Sequence, residues 1–215
     1  DGELNLTRAA AKTGLIQMIP TLSSVSFDEI IDARNQEGGP AQFFQLYVST
    51  DRNVVANMLR RAEEANVKAI FVTVDAPQLG RREQDMRMHF VDEGSDVQGG
   101  HVEKRDEGAA RAITSFIDPS FDWDDVLWMK HQTHLPILLK GVQTWEDAVQ
   151  AYEMGLAGVV LSNHGGRQLD FARSGVEVLE EVMRELRKRG SFPNPAFQVM
   201  VDGGFRRGTD ILKAL

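Results

Sequence analysis

The segment richest in chemistry is Ser162-Asn-His-Gly-Gly-Arg-Gln-Leu-Asp170. The short apolar run Gly158–Leu161 before it reads as a buried strand, which delivers His164 into a loop whose glycines permit close backbone approach and unusual dihedral angles. A neutral imidazole can take a proton near pH 7. The guanidinium of Arg167 can grip a carboxylate through two parallel hydrogen bonds. Together they suit proton abstraction from a substrate that carries a carboxylate. The residues alone fit equally well a loop histidine held by backbone groups and an arginine in a surface ion pair.

Other strand ends carry polar residues of the same kind. Asp75 closes Ala69-Ile-Phe-Val-Thr-Val-Asp75, where a carboxylate could hold an imidazole in one tautomer and stabilise its cation; a turn or helix-capping acid is the alternative. Thr73 in that strand is otherwise a β-branched core residue. Lys140, at the end of Ile137–Leu139, is placed to meet developing negative charge. It could also be a Schiff-base lysine or point to solvent. Asp202-Gly203-Gly204 ends Phe197–Val201, with Arg206 and Arg207 adding positive charge beside exposed backbone N–H groups, a composition suited to phosphate. A glycine turn with a solvated arginine pair has the same letters. Gln45 and Tyr47 share one side of a strand, where an amide and a phenol could meet a heterocycle and a substrate oxygen, or fill the core.

These residues need elements to converge. Apolar, β-branched runs occur at about Ile16–Thr21, Phe43–Val48, Ala69–Val74, Ile137–Leu139, Gly158–Leu161 and Phe197–Val201. Helical spacing lies between most of them. Val54, Val55, Met58, Leu59 and Ala62 form one apolar face, and Val178, Leu179, Val182, Met183 and Leu186 form another. Ser26 and Glu29 read as a capping box, with Val25 and Ile30 placed as its hydrophobic staple. Strands that are apolar throughout are buried on both faces and parallel. The fold class is therefore α/β, either a doubly wound sheet or a closed barrel. In a barrel the C-terminal strand ends gather on one face, which favours a (β/α)8 TIM barrel with about six of its eight βα units in this chain. Residues 1–215 read as one incomplete barrel domain with a long polar loop at about 77–119. A complete barrel takes about 250 residues, so the sequence looks cut at both ends.

Composition narrows the function classes. A net charge of −8 with no long basic block argues against nucleic acid as a partner. The absence of cysteine excludes disulfides and thiolate metal sites. No run approaches the roughly 20 apolar residues of a membrane span. His131 and His134 lack a third ligand, so a zinc site is not expected. Neither a Walker A pattern nor G-x-G-x-x-G is present.

Five motifs, taken together, resemble the FMN-dependent L-2-hydroxy-acid oxidase and dehydrogenase family: Q-L-Y at 45–47, T-V-D-A-P-x-L-G-x-R at 73–82, L-K-G at 139–141, S-N-H-G-G-R-Q-L-D at 162–170 and D-G-G-x-R-R-G-T-D at 202–210. They stand in family order and cover nearly the whole chain. Within the family, D-G-E-L-N at the start, F-I-D-P-S at 116–120 and Q-L-D-F-A-R-S at 168–174 resemble the flavin domain of fungal L-lactate:cytochrome c oxidoreductases, with glycolate oxidases next.

The resemblance implies FMN as cofactor and an L-2-hydroxy acid as substrate, L-lactate above others, oxidised to the 2-oxo acid. It implies His164 as base, Asp75 pairing with its imidazolium, Arg167 on the substrate carboxylate, Tyr47 on the substrate and Arg82 assisting from the long loop. Lys140 would face the flavin N1/O2 region, while Gln45 and Thr73 would bond its pyrimidine edge. Asp202, Gly203, Gly204 and Arg206 would bind the rest of the cofactor, from ribityl chain to phosphate. A glycolate or long-chain oxidase using oxygen, and a catalytically dead barrel fragment, are the alternatives. Cytochrome c or a fused haem domain would be the electron acceptor, in a homo-oligomer (tetramers in relatives). The fungal type would lie in the mitochondrial intermembrane space, the others in cytoplasm or peroxisome. The chain departs from the pattern where a family serine aligns with Pro20, and where the first and eighth strands would stand.

Overall fold

The computed structural model describes residues 2–39, 41–78, 80, 83, 87 and 116–215. Most of the polar loop expected at 77–119 lies outside these residues, and so does Arg82. Contacts group the chain into two compact units, Asp1–Phe71 with Pro77–Leu135, and Val72–Ala76 with Pro136–Leu215.

The first unit opens with α1 (Gly2–Thr13), β1 (Gln17–Pro20), α2 (Phe27–Gln36), β2 (Gln42–Leu46) and α3 (Arg52–Glu64), enters β3 (Ile70–Thr73) as far as Phe71, and includes α4 (Trp123–Gln132). β1 and β2 pair in parallel, with Met18 opposite Phe43 and Pro20 opposite Gln45. Hydrogen bonds from the Phe44 N–H to the Ala69 carbonyl and from the Lys68 N–H to that of Gln42 tie β2 to the approach to β3. The α2 start is the expected capping box: Ser26 Oγ accepts the Glu29 N–H while the Glu29 carboxylate accepts the Ser26 N–H. Ile30 above it is fully buried. On α3, Val55, Leu59 and Ala62 are fully buried, one side of the face read from spacing.

The second unit holds the end of β3, then β4 (Ile137–Val142), α5 (Trp145–Glu153), β5 (Gly158–Leu161), α6 (Gly175–Lys188), β6 (Gln198–Val201) and α7 (Gly208–Ala214). β4 pairs in parallel with β5, and β5 with β6. Val178, Val182 and Leu186 of α6 are fully buried. Each such side chain contributes about 1.5–3 kcal/mol relative to exposure. β4 is longer than the apolar run Ile137–Leu139 suggests. It continues through Lys140 to Val142 by means of a bulge: Lys140 pairs with Val160 and Val142 with Leu161, leaving Gly141 as the extra residue. Gly141 has φ +110°, and a Cβ there would fall on the Asp75 side chain, 2.8 Å from Oδ2. Only glycine serves.

The described strands are hydrogen-bonded neighbours in chain order, with helices between them. This is α/β architecture, six βα units of a (β/α)8 TIM barrel.

Candidate active site

The second unit brings four of the expected residues together. Asp75 follows β3, and its neighbour Val74 donates its N–H to the Lys140 carbonyl, which keeps the strand end against β4. His164 follows β5. Its Nδ1 lies 2.7 Å from Asp75 Oδ1, with only 11% and 10% of the two side chains exposed. Against an ionised carboxylate, which can only accept, a neutral ring carries its hydrogen on Nδ1 and keeps the lone pair on Nε2. This is the arrangement an imidazole base requires.

The backbone at His164 is held in an uncommon conformation. His164, Gly165 and Gly166 have φ of 58°, 66° and 71° in succession. A left-handed non-glycine residue costs free energy and persists where its surroundings over-determine it. Two hydrogen bonds do so: the Asn163 side chain accepts the Gly166 N–H at 3.0 Å, and Ser162 Oγ accepts the His164 N–H at 3.0 Å. Ser162 has no exposed surface, and the same oxygen lies 3.4 Å from Lys140 Nζ. Gln143, just beyond β4, closes the loop by donating to the carbonyls of both Ser162 (2.9 Å) and Arg173 (3.1 Å). Arg173 returns a bond to the Gln143 carbonyl and grips Glu181 with both terminal nitrogens. The Glu181 hydrogen bond holds the Arg173 guanidinium above its ordinary pKa. Arg167, within the loop, is exposed.

Lys140 stands inside β4 rather than after it. Its ammonium is 3.5 Å from Asp202 Oδ2 at the end of β6, with 19% and 39% of the side chains exposed. Asp202 Oδ1 is nevertheless buried without a hydrogen-bond partner among the described residues, and so is Asp75 Oδ2. Buried unpaired acceptors are costly, so each oxygen awaits a donor. Gly203 and Gly204 follow with φ of 83° and 80°, conformations that suit glycine, and a Cβ at either would meet nothing within 4 Å. The Asp210 carboxylate takes the N–H groups of Arg206 and Arg207, and the Arg206 side chain is exposed. An orphaned carboxylate oxygen, an ammonium and an open glycine turn beside two arginines fit a polyhydroxy chain ending in phosphate, as FMN carries.

Gln45 and Tyr47 belong to the first unit and Thr73 to the second. In the first unit, buried Gln45 accepts the Thr21 N–H through Oε1 at 3.2 Å. Thr21 Oγ1 donates to the Gln45 carbonyl at 2.6 Å and accepts the Tyr47 N–H at 3.1 Å. Tyr47 lies just past β2. Thr73 is buried at the end of β3, in the second unit. Sequence reasoning missed Ser162, Gln168, Gln143 and Thr21. Ser162 and Gln168 stand inside the motif already quoted, which was the one signal available.

Comparison with known proteins gives a consistent picture. The pattern of a family described as FMN-dependent dehydrogenase matches residues 1–215. L-lactate dehydrogenase (cytochrome) of Wickerhamomyces anomalus is 53% identical over 100% of this chain and 37% of its own length. Glycolate oxidase 2 of Oryza sativa subsp. indica is 44% identical, over 100% of this chain and 58% of its own. The recombinant flavin-binding domain of baker's yeast flavocytochrome b2 superposes with TM-score 0.83 and 46% identity, covering 99% of this chain and 50% of that one. The chain thus spans between about a third and three-fifths of the length of these curated relatives.

Proposed function

Because the chain belongs to the FMN-dependent dehydrogenase family, we propose that it takes part in oxidation of an L-2-hydroxy acid, L-lactate above others, with His164 as base. The observation that carries this reading is the 2.7 Å contact between His164 Nδ1 and Asp75 Oδ1, which leaves Nε2 as acceptor.

FMN, when bound, accepts the two electrons. The protein does the rest. His164 Nε2 takes the proton from substrate C2, or from the hydroxyl if hydride leaves C2. Asp75 stabilises the resulting imidazolium across the bond it already makes. Arg167 binds the substrate carboxylate as a bidentate cation, with Tyr47 and Arg82 as further substrate contacts. Lys140 would hold the N1/O2 edge of the cofactor with its ammonium. Gln45 and Thr73 would hold the pyrimidine edge. Asp202, Gly203, Gly204 and Arg206 would hold the ribityl phosphate.

The identity to a relative named L-lactate dehydrogenase (cytochrome) supports a cytochrome as electron acceptor; with it we propose cytochrome c or a fused haem domain in that role, a homo-oligomeric state and the mitochondrial intermembrane space. No helix among the described residues is long and apolar enough to cross a membrane. The glycolate oxidase identity supports a second reading, re-oxidation by oxygen. One experiment tests both. L-lactate added anaerobically to the FMN-loaded protein should bleach the flavin band, and ferricytochrome c should restore it. Stoichiometric hydrogen peroxide in air would favour the oxidase. No bleaching with any 2-hydroxy acid would sink both, and failure to retain FMN would mark a catalytically dead fragment.

A further inference from the structure

His164 and Asp75 are not equally anchored. On the histidine side, Ser162 Oγ holds the main chain, Asn163 caps the turn and Gln143 staples the loop. Asp75 lies beyond the last residue of β3, and among the described residues no strand amide takes its carbonyl. That carbonyl accepts from Gln168 Nε2 at 3.1 Å, a half-buried amide in the same loop as His164. Behind the carboxylate lies Gly141, whose missing side chain leaves the space the Asp75 side chain fills. The loop carrying the imidazole therefore reaches back through Gln168 to fix the main chain carrying the carboxylate.

We propose that Gln168 is a positioning residue. Its amide latches the Asp75 main chain so that Oδ1 meets His164 Nδ1, and through that bond it keeps Nε2 aimed at the substrate proton. The catalytic consequence rests on the reading of His164 as base; the structural consequence does not. Without the latch, Asp75 is held by β3 and by the wall at Gly141, and its carboxylate gains freedom to turn away. Misplacement of a reacting group by about 1 Å can cost about 100-fold in rate.

The test uses Gln168→Met in the FMN-loaded protein, a side chain of similar length with no donor. Nitrogen-15 NMR of labelled histidines, with the His164 resonance assigned by its loss in His164→Asn, reports the Nδ1 proton held by Asp75. That proton should disappear into exchange in Gln168→Met. The rate of flavin reduction by L-lactate should fall about 10- to 100-fold with KM little changed. In an Asp75→Ala background the same substitution should change the rate less than about twofold, because groups acting as one unit are not additive. An intact Nδ1 proton in Gln168→Met, or additive losses in the double variant, would overturn the proposal. Should Gln168→Met not fold, Gln168→Glu, isosteric and without a donor as carboxylate, must give the same three results or the proposal fails. If His164→Asn reduces its flavin normally, the base assignment is wrong, while the NMR signal still decides the latch.

Discussion

Nδ1 of His164 lies 2.7 Å from Oδ1 of Asp75, although 89 residues separate them in the chain. A chance meeting of two surface groups would not leave both nine-tenths buried, one at the end of β3 and the other in a strained turn after β5. Against an ionised carboxylate a neutral ring carries its hydrogen on Nδ1, which leaves Nε2 for the base role proposed above.

Replacing His164 should separate binding from chemistry. The position has φ +58°, a region in which Asn is better tolerated than Gln, so His164→Asn is the cleaner variant. It should retain FMN, as judged by absorbance after gel filtration. The rate of flavin reduction by L-lactate should fall by about 10²–10⁴-fold or more, the usual cost of losing a general base. Stopped-flow reduction near the parent rate would remove His164 from the mechanism.

Asp75→Asn keeps the shape and removes the charge. The amide can turn either its oxygen or its nitrogen toward Nδ1, so the tautomer is no longer dictated and an imidazolium loses its counter-charge. The equivalent swap in a Ser-His-Asp triad costs about 10⁴-fold, which sets the upper end of expectation. Turnover should fall about 10²–10⁴-fold while the melting temperature moves little. A loss confined to KM would point to a substrate-binding role instead.

Ser162→Ala should be read in stability first. Its hydroxyl is the acceptor for the His164 N–H and lies within reach of the Lys140 ammonium, and the residue has no exposed surface. Removing it leaves a donor unpaired beside the turn, at a cost of about 1–3 kcal/mol. Urea unfolding should show that loss at unchanged m-value. An unaltered midpoint would mean that water or a shifted turn replaces the hydroxyl.

Much of this was written in local patterns. Gly158–Leu161 is bounded as its four apolar residues suggest, because β-branched runs flanked by small residues have few alternatives. The Ser26–Glu29 box and the α6 stripe need only near neighbours, and both are where spacing puts them. Helix α1 was silent because it buries Thr7 and Ala10 while Leu6 faces out, so no apolar period announces it. The extension of β4 was hidden by Gly141, which reads as a strand end but acts as a bulge. Gln143 and Gln168 act through side-chain bonds to main chain that only folding brings near, while Ser162 bonds the His164 N–H just two residues on, in a turn that no apolar period marks. No spacing rule reveals an amide that will meet the Asp75 carbonyl.

Acid should expose a different weak point. In the first unit, Arg52 reaches both Asp118 and Asp125 at 2.7 Å, and the Asp118 N–H donates to the Val48 carbonyl at 2.8 Å. Desolvation would raise the Asp118 pKa, but the Ser120 hydrogen bonds and the Arg52 guanidinium together outweigh it and hold this carboxyl below its ordinary value of 3.8. A group whose pKa is lower folded than unfolded adds stability that is complete above the unfolded value, and that is lost as pH falls through the folded one. Asp118→Asn should therefore be less stable than the parent near neutrality, by about 1–3 kcal/mol for hydrogen bonds to a charged group. The gap should shrink as pH drops below about 4. Urea midpoints of the two proteins at a series of pH values measure it. A gap as wide at pH 3 as at pH 7 would show that the pair gains nothing from the charge on Asp118.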